Sequence, residues 1–523
     1  MKKIYLIFIV FIIFFISVAV RYWPIYHKGH SYNVAFENLI LARNLNLTGE
    51  YKISNEKNVI LSSLAVSDSG IISQFGNKLT PVLYSKLFKV FGLNFEIPLI
   101  ISLALYGFIS VLLFILILKL FNLCVALIFS FIEIFSPLVL QRAIEVGTYE
   151  WAMFFLTIGI FIYLYKEKPN LLKLFFAGLF FALASLARNS FLILPFIFLL
   201  YDFYKNKSLK RIAIFILPIL ILWGVYLGPS FLEKDKTTNV YLTSQDTSGA
   251  YMHLFPDPYT WYFERDSYVK SIIGTTNYDY NQFLIKYGYP VSLKNRILMY
   301  FASIKSYPKG LLDQTTVGGP FMIFFLFLGG FYLFRNKKDF IKLFIVWGGL
   351  LYVFLVTLKS NHWGHFIALQ LPLFLLISLG IYWIFKFVLK QGFKTYLKYA
   401  FVFGFILVLF IHLVQSDKWM FHEQYENSNT GQALELVKAI EEQGNYLNKK
   451  QDIIAVGLYN QAPMLLNWYT DYSFVYFDPN TVKKLLEENK LKWAFEQFGV
   501  TKFTGYDKEL TEEIIESTGA VQI

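Results

Sequence analysis

The sequence predicts a polytopic α-helical membrane protein of about eleven spanning helices, with a C-terminal α/β domain of about a hundred residues outside the membrane. Three observations predict it. Hydrophobic residues form 56% of the 523-residue chain and charged ones 16%, more apolar surface than a soluble core absorbs. The apolar residues fall in runs close to the ~20 residues that cross a ~30 Å hydrocarbon core. Charge is also uneven: from Asp417 onward ten Lys and Arg stand against seventeen Asp and Glu, and before it thirty-eight stand against nineteen. The formal charge of +12 therefore sits on a basic body, in short loops between apolar runs. That distribution argues against nucleic acid as a partner and matches the basic bias of cytoplasmic loops.

The first run, Ile4–Val20, follows Met1-Lys2-Lys3. Ser17-Val18-Ala19 resembles a signal-cleavage site, but the long apolar core favours an uncleaved anchor, and either reading puts residue 21 onward outside. Later runs lie near 96–118, 120–138, 149–165, 171–187, 190–204, 211–228, 319–334, 340–358, 366–387 and 398–415. The 120–138 and 190–204 runs also suit re-entrant segments. A cytoplasmic N-terminus puts Lys119, then Lys166 and Lys168, then Lys205, Lys207, Lys210 and Arg211 in inner loops. Arg335, Lys337 and Lys338 follow, and finally Lys386, Lys390, Lys394 and Lys398. Every inner loop is basic and the acidic tail falls outside, as an odd number of spans requires. The expected location is the plasma (inner) membrane. Cys124 is the only cysteine, so no internal disulfide forms.

The expected division is a transmembrane domain over 1–416, with long outer loops at 21–95 and 229–318, and a soluble domain over 417–523. The first loop holds an amphipathic stretch (Val34, Phe36, Leu39, Leu41, Leu45) and a second from Pro81 to Val90, both suited to lying in the membrane interface. The other loop is rich in Tyr, Trp, Asp and Pro, as in Phe255-Pro256-Asp257-Pro258. In the tail, helices over Ala433–Gln443, Met464–Tyr469 and Asn480–Asn489 alternate with strands over Asp452–Leu458, Phe474–Phe477 and Val500–Thr504. Such alternation predicts a parallel sheet, and the absence of a Gly-rich loop after the first strand argues against nucleotide binding.

Charged groups near the membrane surface are the first places to look for chemistry. Glu37, beside Asn38-Leu39-Ile40-Leu41-Ala42, can act as a general base toward an acceptor hydroxyl, or be a plain polar-face glutamate. Lys78 precedes a helix start at Leu79-Thr80-Pro81, where it can neutralise a phosphate or simply snorkel. Arg142 and Glu145, three apart on one helical face, can pair structurally or line a cavity. Arg188 lies on the outer side against the usual charge bias; it invites lipid phosphate or a carboxylate, or anchors the helix. His362 and His365 are three apart with no convincing third ligand near them, which points to a phosphate or sugar contact rather than zinc.

Taken together, Glu37 through Leu45 with Thr48-Gly49-Glu50-Tyr51, Lys78 through Phe91-Gly92, Ser136-Pro137, the helix from Glu150, Gly178 through Arg188, and His365-Phe366 with Pro372 carry a resemblance. The chain resembles the GT-C glycosyltransferases that use polyprenyl-phosphate sugars, the protein O-mannosyltransferase and aminoarabinose transferase superfamily. It departs from them in two places: His30 through Phe36 contains no paired acidic motif, and His365 stands where members commonly have arginine. The resemblance implies an inverting transfer from a polyprenyl-phosphate sugar donor to a hydroxyl at the outer face of the membrane. Glu37 would be the base, and Lys78, with Arg188 or His365, would hold the phosphate. It implies no cofactor and requires no divalent metal; the acceptor is a protein, glycolipid or glycan. A surface-polysaccharide polymerase or ligase is the alternative, though it usually lacks such a tail. A lipid-linked glycan transporter should carry paired charges within several spans, and these runs read as almost uncharged at mid-depth.

Overall fold

The computed structural model describes residues 3–28, 36–49, 79–94, 96–144, 146–147, 149–165, 169–188, 191–232, 319–357, 363–392, 394–425, 430–442, 447, 452–457, 466, 470, 472–477 and 479–523. They divide into two compact units, one of the described residues within 1–34, 95–232 and 296–426, the other of those within 35–94 and 427–523.

The first unit is a helical bundle, opened by α1 (Lys3–Lys28), α4 (Ile97–Leu120), α5 (Leu123–Ile134) and α6 (Pro137–Ile144). On α1, Ile4, Phe8, Phe11 and Phe15 form an exposed apolar stripe, while Ile13, Ser17 and Arg21 recur at four-residue spacing on the buried face. Helix α5 begins at Asn122, whose side chain accepts the Val125 amide at 3.1 Å. It bends by 58° into α6 at Ser136-Pro137, where proline offers no amide and biases the preceding residue away from helical geometry.

Helices α7 (Glu150–Leu164), α8 (Leu171–Ala187), α9 (Leu194–Asn206) and α10 (Leu209–Leu232) follow. Their shared core is aromatic: Phe198 lies 4.6 Å from Phe181 and 5.3 Å from Tyr163 between ring centroids, and 5.1 Å from Trp347. The last of these belongs to α12 (Lys338–Thr357), which follows α11 (Pro320–Asn336). A 3₁₀ helix, Trp363–Leu369, then leads into α13 (Gln370–Lys390) and α14 (Thr395–Tyr425). Helices α11 and α13 run in the same direction, pairing Phe331 with Trp383 and Tyr332 with Tyr382. A Cβ on Gly329 would meet the Leu376 carbonyl, and one on Gly380 the Phe325 carbonyl, so these backbones touch only because both positions are glycine.

Among the described residues four helices are long and apolar enough to span a bilayer, or five if the bent α5–α6 pair is one span. Others, such as Glu150–Leu164 and Leu171–Ala187, are apolar but shorter. The chain is thus a multi-pass helical membrane protein.

In the second unit α2 (Phe36–Leu47) packs on α3 (Leu79–Phe91). The amphipathic reading holds for α3, which buries Pro81, Tyr84, Ser85 and Phe88 and exposes Val90 and Phe91. It does not hold for α2. Every residue from Asn38 to Arg43 is buried, because the apolar block Leu39-Ile40-Leu41-Ala42 winds around the whole circumference rather than along one face.

The same unit contains α15 (Thr430–Glu442), β1 (Ile453–Val456), β2 (Ser473–Tyr476), α16 (Pro479–Glu487), α17 (Leu491–Phe498), β3 (Lys502–Thr504), α18 (Lys508–Thr518) and β4 (Val521–Gln522). The four strands pair in parallel in the order β2-β1-β3-β4. At the carboxyl ends of the strands the Tyr506 ring lies against Gly457, where a Cβ would overlap it, and its hydroxyl donates to the Phe477 carbonyl at 3.0 Å.

Candidate functional site

Four turns of the bundle meet at one end. Arg211 Nη1 donates to the Pro169 carbonyl at 2.9 Å, Lys337 Nζ to the Leu120 carbonyl at 2.5 Å, and Lys342 Nζ to the Tyr204 hydroxyl at 3.3 Å. Lys119, Lys205, Lys207, Lys210, Arg211, Lys337 and Lys338 are therefore at the same end, the basic end of the bundle. An acid also belongs here: Asp202 is buried and receives Arg211 through Nε at 3.0 Å and Nη2 at 2.8 Å, Asn206 at 3.0 Å and the Tyr163 hydroxyl at 3.2 Å.

The opposite end holds the candidate site. Gly147 adopts a left-handed φ of 87°, which turns the chain between α6 and α7. Buried Glu150 at the head of α7 fixes that turn by accepting the Gly147 amide at 2.8 Å and the Tyr149 amide at 3.1 Å. This places the ring of Tyr149 within reach of two arginines of distant origin. The Arg142 guanidinium from α6 lies 5.1 Å from its centroid, and that of Arg188, just past the end of α8, lies 4.6 Å away. Arg188 also donates to the Tyr149 hydroxyl at 3.3 Å. Arg142 is buried, Arg188 is part-exposed, and no described carboxylate pairs with Arg188. Chemically this is an arrangement for an anion: a guanidinium at the surface, oriented by a ring and backed by a second positive group.

A second polar cluster lies within the bundle and corrects the expectation of uncharged spans. Arg21 Nη2 and Glu133 Oε1 are 2.8 Å apart, and both side chains are fully buried. Glu133 Oε1 also accepts Gln370 Nε2 at 2.9 Å, and Oε2 accepts Ser110 Oγ at 2.6 Å. The hydroxyls of Ser110 and Ser17 lie 2.9 Å apart, and Arg21 Nη1 donates to Ser17. A lone carboxylate inside the apolar run 120–138 is the signal that marks Glu133. Arg21 has no such signal, because it falls at the end of the first run while α1 continues to Lys28.

Of the residues singled out in the sequence, Arg142 and Arg188 come together. Lys78, Glu145 and His362 lie outside the described residues. Glu37 is on α2 and His365 is in the 3₁₀ helix, with side chains outside the described part. Tyr149 and Glu150 complete the site without a local signal for that role, since nothing in sequence distinguishes a tyrosine that serves two arginines. Among the described residues no three His, Cys, Asp or Glu side chains gather as metal ligands.

No family model matches the sequence, and no curated protein does. Solved structures do. The Archaeoglobus fulgidus oligosaccharyltransferase tethered to an acceptor peptide containing the NVT sequon aligns over 95% of this chain and 68% of its own, at 13% identity and a TM-score of 0.52. ArnT from Cupriavidus metallidurans bound to undecaprenyl phosphate aligns over 99% of this chain and 89% of its own, at 9% identity and a TM-score of 0.51. The fold is that of the GT-C glycosyltransferases. Within this fold, the archaeal oligosaccharyltransferase in complex with zinc and sulfate gives a TM-score of 0.52 at 11% identity, over 96% of this chain and 66% of its own.

Proposed function

We propose that this GT-C-fold protein is a membrane glycosyltransferase that moves a sugar from a polyprenyl-phosphate donor to an acceptor hydroxyl at the outer face of the membrane, with inversion. The observation that carries the reading is the pair of arginines, Arg142 and Arg188, on the ring of Tyr149 at the end of the bundle opposite the basic turns. If the basic end is cytoplasmic, that pair lies in the outer leaflet, where the phosphate of a lipid-linked sugar resides. The similar structures, one with undecaprenyl phosphate and one with an acceptor peptide, support a lipid-phosphate donor and leave protein, glycolipid and glycan acceptors in view.

In this scheme Arg188 meets the phosphate, helped by Lys78 and His365, while Arg142 adds field. Neutralising the phosphate as it departs lowers the barrier, because charge develops on it in the transition state. Glu37 takes the proton of the acceptor hydroxyl as that oxygen attacks the anomeric carbon. Arg142, Glu145 and His362 are further candidates for contact with the donor, and the C-terminal domain over 417–523 is the candidate for acceptor binding. The scheme routes no step through a metal.

Membranes containing the protein, supplied with lipid-linked sugars extracted from its source membranes, should transfer sugar to added acceptors. Glu37→Gln should abolish transfer with expression intact, and full activity in that variant would remove the base assignment. Lys78→Ala should raise the apparent KM for the donor. A reporter active only outside the cytoplasm, fused after Val414, should be active; a silent one would reverse the proposed orientation.

A further inference from the structure

The Glu133 network joins four helices, and two of its members sit at interruptions. Glu133 is the penultimate residue of α5, just before the 58° bend into α6. Gln370 is the first residue of α13, immediately after the 3₁₀ helix. Their side chains meet at 2.9 Å across 237 positions of sequence. The α5–α6 break is thereby tied to the 3₁₀–α13 junction, and Arg21 of α1 and Ser110 of α4 hold the carboxylate from the other sides. Beyond one interruption lies α6 with Arg142; beyond the other lies the 3₁₀ helix, which packs on α6. At its far end α6 is held again, its Ala143 carbonyl accepting the Ser102 hydroxyl at 2.7 Å.

We infer that Glu133 and Gln370 are positioning residues for the arginine–tyrosine site: their bond fixes the angle at which α6 leaves the bundle and so the place of Arg142 beside Tyr149. The inference rests on reading that site as one for a lipid phosphate. An interrupted helix lacks the intrahelical bonds that would set its direction at the break, so a side-chain bond there restrains it at that end, as the Ser102 bond does at the other. A charged carboxylate is suited to this because a bond to it is stronger than one between neutral groups.

The test uses the full-length protein in detergent, with hydrogen exchange, melting temperature and binding of undecaprenyl phosphate as readouts. Gln370→Leu removes the tether but leaves Glu133 its bonds to Arg21 and Ser110. It should keep the melting temperature, speed exchange of 137–144 and 363–370 about tenfold, and weaken lipid binding about as much. Exchange over 150–187 should not change. The paired replacement Arg21→Met with Glu133→Leu removes both charges and keeps an apolar core, so stability should survive as it does when buried pairs are replaced together. A network that only clamps the bundle would then restore binding as well; positioning predicts that binding stays weak and both segments stay fast. Unchanged exchange at either segment in Gln370→Leu, or a uniform rise along the chain, overturns the inference. Failure of the unaltered protein to bind the lipid overturns the reading of the site itself.

Discussion

Arg211 and Arg188 stand at opposite ends of one bundle and are answered in different ways. Arg211 makes a two-point bond with Asp202 and a third to the Pro169 carbonyl, while Asn206 and Tyr163 fill what remains of the carboxylate. Its charge is neutralised within the fold, and its work is to close the turns of the basic end. Arg188 meets a ring and a hydroxyl, and no described carboxylate pairs with it. Both arginines are half-buried, so the lesson is that a carboxylate partner separates a structural arginine from one available to a ligand, whereas burial and residue type do not.

The variants that probe this contrast range from severe to slight. Asp202→Ala should be the most damaging, since it leaves Arg211 without its carboxylate. A loss of about 3–5 kcal/mol is expected for breaking such a pair, read as a large fall in melting temperature. Arg188→Ala should do the reverse, leaving the melting temperature nearly unchanged and weakening undecaprenyl-phosphate binding by about 1.5–3 kcal/mol, roughly 10- to 150-fold. If Arg188→Ala also unfolds the protein, the two ends are alike and the contrast fails. Arg188→Lys keeps the charge but loses the planar group that lies over Tyr149, so binding should fall between the two, as titration with the lipid would report. Tyr149→Phe keeps the ring and removes the hydroxyl that accepts from Arg188, for a binding loss of about 0.5–1.5 kcal/mol. Asn206→Ala, one of several donors to Asp202, should lower stability by about 1 kcal/mol and leave binding alone.

Much of the helical scaffold could be read in advance because its determinants are local. The run at 171–187 coincides with α8, whose start is set by the Asn170 side chain accepting the Lys173 amide. The Ser136-Pro137 step accounts for the bend within the 120–138 run. What could not be read depends on distance in sequence. Glu133 and Arg21 are 112 positions apart, and nothing near either names the other. Tyr149 owes its role to α6 and α8 arriving at the same place. For α2, the pattern Val34, Phe36, Leu39, Leu41 and Leu45 predicts an amphipathic stretch, yet burial extends to Asn38, Arg43 and Asn44. The polar residues that would have marked a wet face are inside.

Tyr506 has a consequence for the C-terminal sheet. Open parallel sheets accept nucleotides in the crevice beyond their carboxyl edge, where neighbouring strands send their connections to opposite sides. In the order β2-β1-β3-β4 that crevice lies between β1 and β3, the strands that Gly457 and Gly505 directly follow. A phenol stoppers it. To enter, an adenine or a pyrophosphate would have to swing the Tyr506 ring off Gly457 and release its hydroxyl from Phe477. The missing glycine-rich loop and the ring of Tyr506 are separate features of the chain, and both bear on the same edge of the sheet.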